Sequence, residues 1–148
     1  MDECKLAYMA GLIDGEGSIS IGKARMWGAQ KHDTYKLVLQ VYMSTEEPLN
    51  TIAEWFGGKV EILKIQHGRW GQTRPGRQWR ANGRKAIDVM ELVRPYLILK
   101  RPQADLAIDY FYYNEGTKGI GRTIPTDDVY EMREYFWWQM HKLNGKDV

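Results

Sequence analysis

The 148-residue chain has a single cysteine, Cys4, together with five prolines, three phenylalanines and three histidines. A lone thiol excludes an internal disulfide framework. It favours a reducing, intracellular setting (cytoplasm, nucleoid or organelle) over secretion. No His/Cys spacing supports a zinc site, so His32 and His67 read as loop residues or as contacts to a partner. Long hydrophobic runs are missing as well. Leu6 to Ile13 is too short to span a bilayer and lacks the basic start and cleavage site of a signal peptide, so no membrane partner is expected. There is no low-complexity segment and no evident linker. A chain of this length with 43% apolar residues fits one folded domain, 1–148.

Charge of one sign is scarce overall, with a formal net of +2, but its distribution is uneven. Residues 59–101 carry 11 basic and 3 acidic side chains, whereas residues 1–58 and 102–148 each carry 5 basic and 8 acidic. A basic middle between acidic ends is compatible with one positive surface for an anionic partner, or with an ordinary solvated face.

Periodicity predicts the order α-β-β-α-β-β-α-α-α. Leu6 to Asp14 reads as a helix with Leu6, Met9 and Ile13 on one side, ended by Gly15 and Gly17. Ser18–Lys23 and Thr34–Met43 read as strands. In the second, Tyr35, Leu37, Leu39, Val41 and Met43 alternate with Lys36, Val38, Gln40 and Tyr42. Ser44 and Glu47 suggest a capping box for a helix that stops at Gly57-Gly58. Lys59–Gln66 and Gln78–Ala81 suggest a second strand pair. Helices are expected at Arg84–Val93, from Pro102 to Tyr113, and after Thr126, which can cap the last one. Asn114 to Pro125 reads as a Gly-rich loop. The helical C-terminal part is thus about 102–148.

The stretch AYMAGLIDGEGSI, Ala7 to Ile19, places two acids at the end of an apolar helix. Helix C-termini carry partial negative charge and carbonyls without intrahelical partners, so Asp14 and Glu16 are unfavourable there unless a cation neutralises them. The Gly15 carbonyl and the Glu16 carboxylate suit Mg²⁺. On composition alone, solvated turn residues are the stronger reading of both acids, since acids beside glycines are common turn chemistry. Ala7, Ala10, Gly11 and Asp14 form a small-residue side that admits a second helix or packs on the chain's own sheet.

Met9-Ala10-Gly11-Leu12-Ile13-Asp14-Gly15-Glu16-Gly17 resembles the signature of the LAGLIDADG homing endonucleases. Ala10, Gly11, Leu12, Ile13, Asp14 and Gly17 match it letter for letter, and Glu16 is the acidic equivalent. Pro95 to Ala104 looks like the family's second landmark, a lysine entering a helix with a Gln-Ala pair beyond, and Leu143-Asn144 is similar too. The resemblance implies an α+β fold: an αββαββα core whose saddle-shaped antiparallel sheet lies along DNA, followed here by C-terminal helices. It implies a site-specific double-strand DNA endonuclease of the single-motif, homodimeric type, acting on a pseudo-palindromic target. Glu16 matches the metal-binding acid, with Gly15 beside it and Mg²⁺ or Mn²⁺ as cofactor. Lys100 matches the active-site lysine. Asp14 matches the earlier acid, grouped with the catalytic residues but more structural. Ala7, Ala10, Gly11 and Asp14 would form the dimer seam. Met43 departs from the family, which often carries a polar residue there to order solvent.

On this reading DNA contacts are expected from Ser20, Lys23, Arg25, Thr34, Lys36, Val38 and Gln40, and from Arg69, Arg74, Arg77 and Trp79 in the other hairpin, with core the stronger expectation for Trp79. Gln can pair with adenine and Arg with guanine. A one-residue register slip would reverse every face. Two relatives in function stay open: an RNA-splicing maturase, and a cleavage-inactive DNA-binding protein of the same fold.

Overall fold

The computed structural model describes residues 1–25, 32–64, 75–117 and 125–145. Elements follow the order α1 (Glu3–Glu16), β1 (Gly17–Ala24), β2 (Thr34–Met43), α2 (Glu47–Phe56), β3 (Lys59–Ile62), β4 (Arg77–Asn82), α3 (Gly83–Val93), a short 3₁₀ turn (Arg94–Tyr96), α4 (Arg101–Thr117) and α5 (Asp127–Leu143). The four strands form one open antiparallel sheet in the order β1-β2-β4-β3. This is the expected α+β architecture with added C-terminal helices.

Alternation decides the faces. Ile19, Ile21, Leu37, Leu39, Val41, Trp79 and Ala81 are buried and meet Met9, Ile13, Ile52, Ile87 and Met90 from the helices in one core. Burying each such side chain contributes about 1.5–3 kcal/mol. The opposite face carries Ser18, Ser20, Lys36, Val38, Gln40, Arg80 and Asn82, because directly opposed residues of an antiparallel pair share a face. No helix of the described residues is long and apolar enough to cross a membrane.

Several local expectations are corrected. α1 continues through Gly15 and ends only at Gly17. There a Cβ would lie 2.6 Å from the Ile13 Cα, so the helix-to-strand junction closes only over a glycine. Asp2, unremarked in the sequence, caps the other end by accepting the Cys4 N–H at 2.8 Å. The capping box does not form: Glu46 is the N-cap of α2 and uses no side-chain bond. Thr126 caps α5 with no side-chain bond either. α4 runs past Asn114 to Thr117, so the start of the expected loop is helical.

The two distant landmarks meet. Gln103, buried at the start of α4, donates to the Leu143 carbonyl at 3.1 Å and to Asn144 Oδ1 at 3.4 Å. Asn144 in turn donates to the Ile19 carbonyl at 2.9 Å. This polar relay fastens the end of α5 to the first strand.

Candidate active site and nucleic-acid interface

α1 delivers the motif acids to the edge of the sheet, and each acid is used differently. Asp14 is half-buried, and both its oxygens are taken. Oδ2 accepts the Ile98 N–H at 2.8 Å and Oδ1 the Lys100 N–H at 2.9 Å. Partial burial is the largest influence on this carboxyl and pushes its pKa up. The N–H groups of Ile98, Lys100 and Leu99, with the Lys100 charge, outweigh it and hold the pKa below the usual Asp value. Asp14 therefore organises the turn before α4, each of its oxygens accepting a backbone N–H.

Lys100 supplies the cation that the helix end requires. Its Nζ donates to the Asp14 carbonyl at 2.7 Å, satisfying one of the last helix carbonyls. The lysine stands one residue from Gly15 and two from Glu16 along the helix terminus. Glu16 and Gly15 are both exposed. Among the described residues none hydrogen-bonds the Glu16 carboxylate, and none builds a cluster of three or more acid, His or Cys side chains for a metal. Oxygen donors of this kind fit Mg²⁺ or Mn²⁺, but one chain offers a single free carboxylate where such an ion takes about six ligands. The donor set fits a divalent ion only if it is completed by water, DNA phosphate or a second chain.

Ala10 is fully buried with Met9 and Ile13 and belongs to the core. Ala7, Gly11 and Gly15 are exposed, with Tyr8 beside them and Asp14 at the margin. A Cβ on Gly11 or on Gly15 would meet nothing within 4 Å. Two glycines inside a helix cost about 1 kcal/mol each relative to alanine, and none of the described residues occupies the space a Cβ would take there.

The open sheet face has a row of polar residues running from the motif across all four strands: Ser18 opposes Gln40, Gln40 opposes Arg80, and Arg80 opposes Lys59. A second row places Ser20 against Val38 and Val38 against Asn82. Arg80 Nε and Asn82 Oδ1 are enclosed and have no hydrogen-bond partner among the described residues. Sequence reasoning missed Arg80 and Asn82. The signal was present in their alternation with Trp79 and Ala81, once those two are assigned to the core. Thr34, Lys36, Val38, Gln40 and Ser20 take the face expected of them, and Arg25 is exposed just beyond β1.

Three of the residues named as DNA contacts take the helix side of the sheet, which for Trp79 is the stronger of its two expectations. Trp79 is fully enclosed, its indole N–H donating to the Gly57 carbonyl at 2.7 Å, so it is core. Lys23 falls on the helix side, opposite Tyr35, where its Nζ is 2.8 Å from Glu134. Arg77 opposes Met43 on that same side and pairs with Glu46 at 3.3 Å. Met43 is partly buried and packs against the core. His32 stacks on Tyr130 with centroids 3.7 Å apart, and its Nε2 is 3.3 Å from Asp127. Arg84 pairs with Asp88, and Arg94 with Asp105, among the helices. The basic middle is thus not one surface. Arg69, Arg74 and His67 lie outside the described residues.

Comparison with known protein structures finds the same architecture. The chain is similar to the homing endonuclease I-CvuI, solved in complex with a DNA target in the presence of Mg, with 22% identity, a TM-score of 0.64, and 99% of this chain covering 98% of that one. It is similar to the archaeal intron-encoded homing endonuclease I-Vdi141I complexed with DNA, with 16% identity, a TM-score of 0.78, and 100% covering 89%. The LAGLIDADG homing endonuclease I-SmaMI bound to cleaved DNA matches with 14% identity and a TM-score of 0.70, 93% of this chain covering 44% of that one. Comparison with protein-family sequence models and with curated proteins gives no match. The likeness to the solved structures establishes that the chain has the fold of the LAGLIDADG homing endonucleases, as the motif resemblance implied.

Proposed function

We propose that this protein is a site-specific DNA endonuclease of the homing type, acting as a homodimer with divalent metal at the twofold axis. The observation that carries the proposal is the division of labour at the end of α1. Asp14 and Lys100 hydrogen-bond each other at the helix terminus, and Glu16 is exposed on the same turn with no hydrogen-bond partner among the described residues. A carboxylate held next to helix carbonyls without a partner of its own is favourable once a cation arrives.

The dimer reading rests on α1. Ala7, Gly11 and Gly15 leave open space on an exposed helix face that this chain does not fill. A second copy of α1 would fill it, and symmetric isologous pairing is the commonest way to do so. Two Glu16 side chains would then converge where one chain offers too few ligands. The 44% coverage of I-SmaMI leaves that chain room for a second such unit, whereas I-CvuI is matched over nearly its whole length.

Hydrolysis of a phosphodiester requires a water nucleophile and relief of charge on two oxygens. A divalent ion, when bound, supplies both by lowering the pKa of water and neutralising phosphoryl oxygens. Glu16 would hold it, with the Gly15 carbonyl as the neighbouring donor. Lys100, fixed by Asp14 beside this position, would add a cation for the negative charge that develops on the phosphoryl oxygens. The row Ser18–Gln40–Arg80–Lys59 begins two residues from Glu16 and would lie against the base pairs nearest the scissile phosphates. Gln40 can read adenine and Arg80 guanine through two hydrogen bonds each.

The test is selection from a randomised duplex library, first for binding in Ca²⁺ and then for cleavage in Mg²⁺. The proposal expects one pseudo-palindromic sequence to emerge from both steps. Binding without cleavage in Mg²⁺ would instead favour a cleavage-inactive DNA-binding protein of the same fold.

A further inference from the structure

The end of the β1–β2 hairpin farthest from the motif is fastened by a contact that neither the sheet nor the proposed active site uses. Lys23 and Tyr35 are directly opposed and share the helix side. Both reach one carboxylate on α5. Lys23 Nζ lies 2.8 Å from Glu134 Oε1, and the Tyr35 hydroxyl donates to Glu134 Oε2. Glu134 thus bridges two strands with its two oxygens. Trp137, one turn on, lies under the Lys23 ammonium at 4.5 Å.

The charge states suit a clamp. Burial is the largest influence on Glu134 and pushes its pKa up, but the hydrogen bonds from Lys23 and Tyr35 prevail and hold it below the usual range. Burial and Glu134 together push the Tyr35 hydroxyl up, so it remains a donor. Immediately beyond the clamp, the pair Ala24 and Thr34 returns to the open face and Arg25 follows.

We infer that Glu134 is a positioning residue for target discrimination, setting where the far end of the β1–β2 hairpin meets the outer base pairs of each half-site. The DNA part of this inference rests on the nuclease reading; the clamp does not. At about 3.3 Å per residue, Lys23 lies roughly 20 Å along β1 from Gly17. That distance corresponds to about six base-pair steps of 3.4 Å each. Hydrogen bonds to base edges weaken steeply with misalignment, so a hairpin end free to drift would lose discrimination there and nowhere else.

Two measurements on Glu134→Gln and on Lys23→Met test it. In the free protein, amide hydrogen exchange at residues 22–25 and 33–36 should accelerate about tenfold or more, with the core strands unchanged. On the selected target, single mismatches at read positions cost wild type about 5- to 150-fold in kcat/KM. At outer positions both variants should bring that penalty to within about threefold of none, with inner positions retained and kcat on the perfect site within about twofold of wild type. Unchanged exchange would overturn the clamp. Faster exchange with outer discrimination intact, or with inner and outer discrimination lost equally, would overturn the positioning role. If wild type selects no sequence at all, the nuclease reading falls and takes the target role with it, and the exchange result still decides the clamp.

Discussion

Lys100 and Asp14 hold each other twice. The Lys100 backbone N–H donates to the Asp14 carboxylate at 2.9 Å, and the Lys100 ammonium donates to the Asp14 carbonyl at 2.7 Å. One acid fixes the turn that carries the lysine, and the lysine neutralises the helix end that carries the acid. The second motif acid, Glu16, is thereby released from any structural duty.

Asp14→Asn should destabilise the fold. The amide can accept at one position only, so a backbone N–H of Ile98 or Lys100 loses its charged acceptor, at a cost of about 1–3 kcal/mol. The pH dependence has a definite sign. The Asp14 pKa is lower in the folded chain than the ordinary 3.8, so its stabilisation is present above that value and is lost as pH falls through the folded pKa. Denaturant unfolding at pH 7 and at pH 3 should show a smaller acid penalty in Asp14→Asn than in wild type. Equal penalties would mean that the two N–H contacts carry no net stabilisation.

Glycines of the motif should separate by role. Gly17→Ala places a methyl 2.6 Å from the Ile13 Cα and must shift backbone, costing about 1–3 kcal/mol as overpacking does. A Cβ on Gly11 meets none of the described residues within 4 Å, so Gly11→Leu should leave the monomer folded and, through helix propensity, more stable by up to about 1 kcal/mol. It should abolish self-association and cleavage together. Sedimentation and thermal unfolding of both variants check the contrast; a Gly11→Leu protein that still dimerises and cuts would remove α1 from the seam.

The strand alternation of 34–43, the helix ending at Gly57-Gly58 and the Asp14–Glu16 pair were legible because each depends on neighbours in sequence. Strand register across β4 was not. Arg77 reads as outward and Arg80 goes unmarked, because a hairpin with a long connection gives no local signal for which residues share a face. Lys23 was misplaced for a different reason: its partner Glu134 is 111 residues away. Ala10 looked like seam because small size suits both a seam and a core, and only burial separates them. The failed Ser44–Glu47 box illustrates a propensity overridden by the position at which α2 begins.

Arg80 and Lys36 should differ in how they contribute to binding. Arg80→Ala should relax preference at one base pair per half-site by about 1–3 kcal/mol, with a smaller change elsewhere. Lys36→Ala, an exposed cation on the same sheet face, should weaken binding to all sequences alike and reduce the salt slope by about 1. Competition binding over a range of salt against a panel of point-mutated sites separates the two. A uniform effect from Arg80→Ala would make it a phosphate contact.

The most direct measurement is cleavage of the selected target by Glu16→Gln in Mg²⁺, run beside its binding affinity and thermal stability. Glu16 is exposed, and among the described residues none hydrogen-bonds its carboxylate, so the substitution should leave affinity and unfolding temperature at wild-type values. Double-strand cleavage should fall by about 10³-fold or more, as expected when a charged group is removed from a metal-assisted phosphoryl site. A Glu16→Gln protein that binds, folds and cuts at the wild-type rate would contradict the assignment of this carboxylate to the metal and the account built on it.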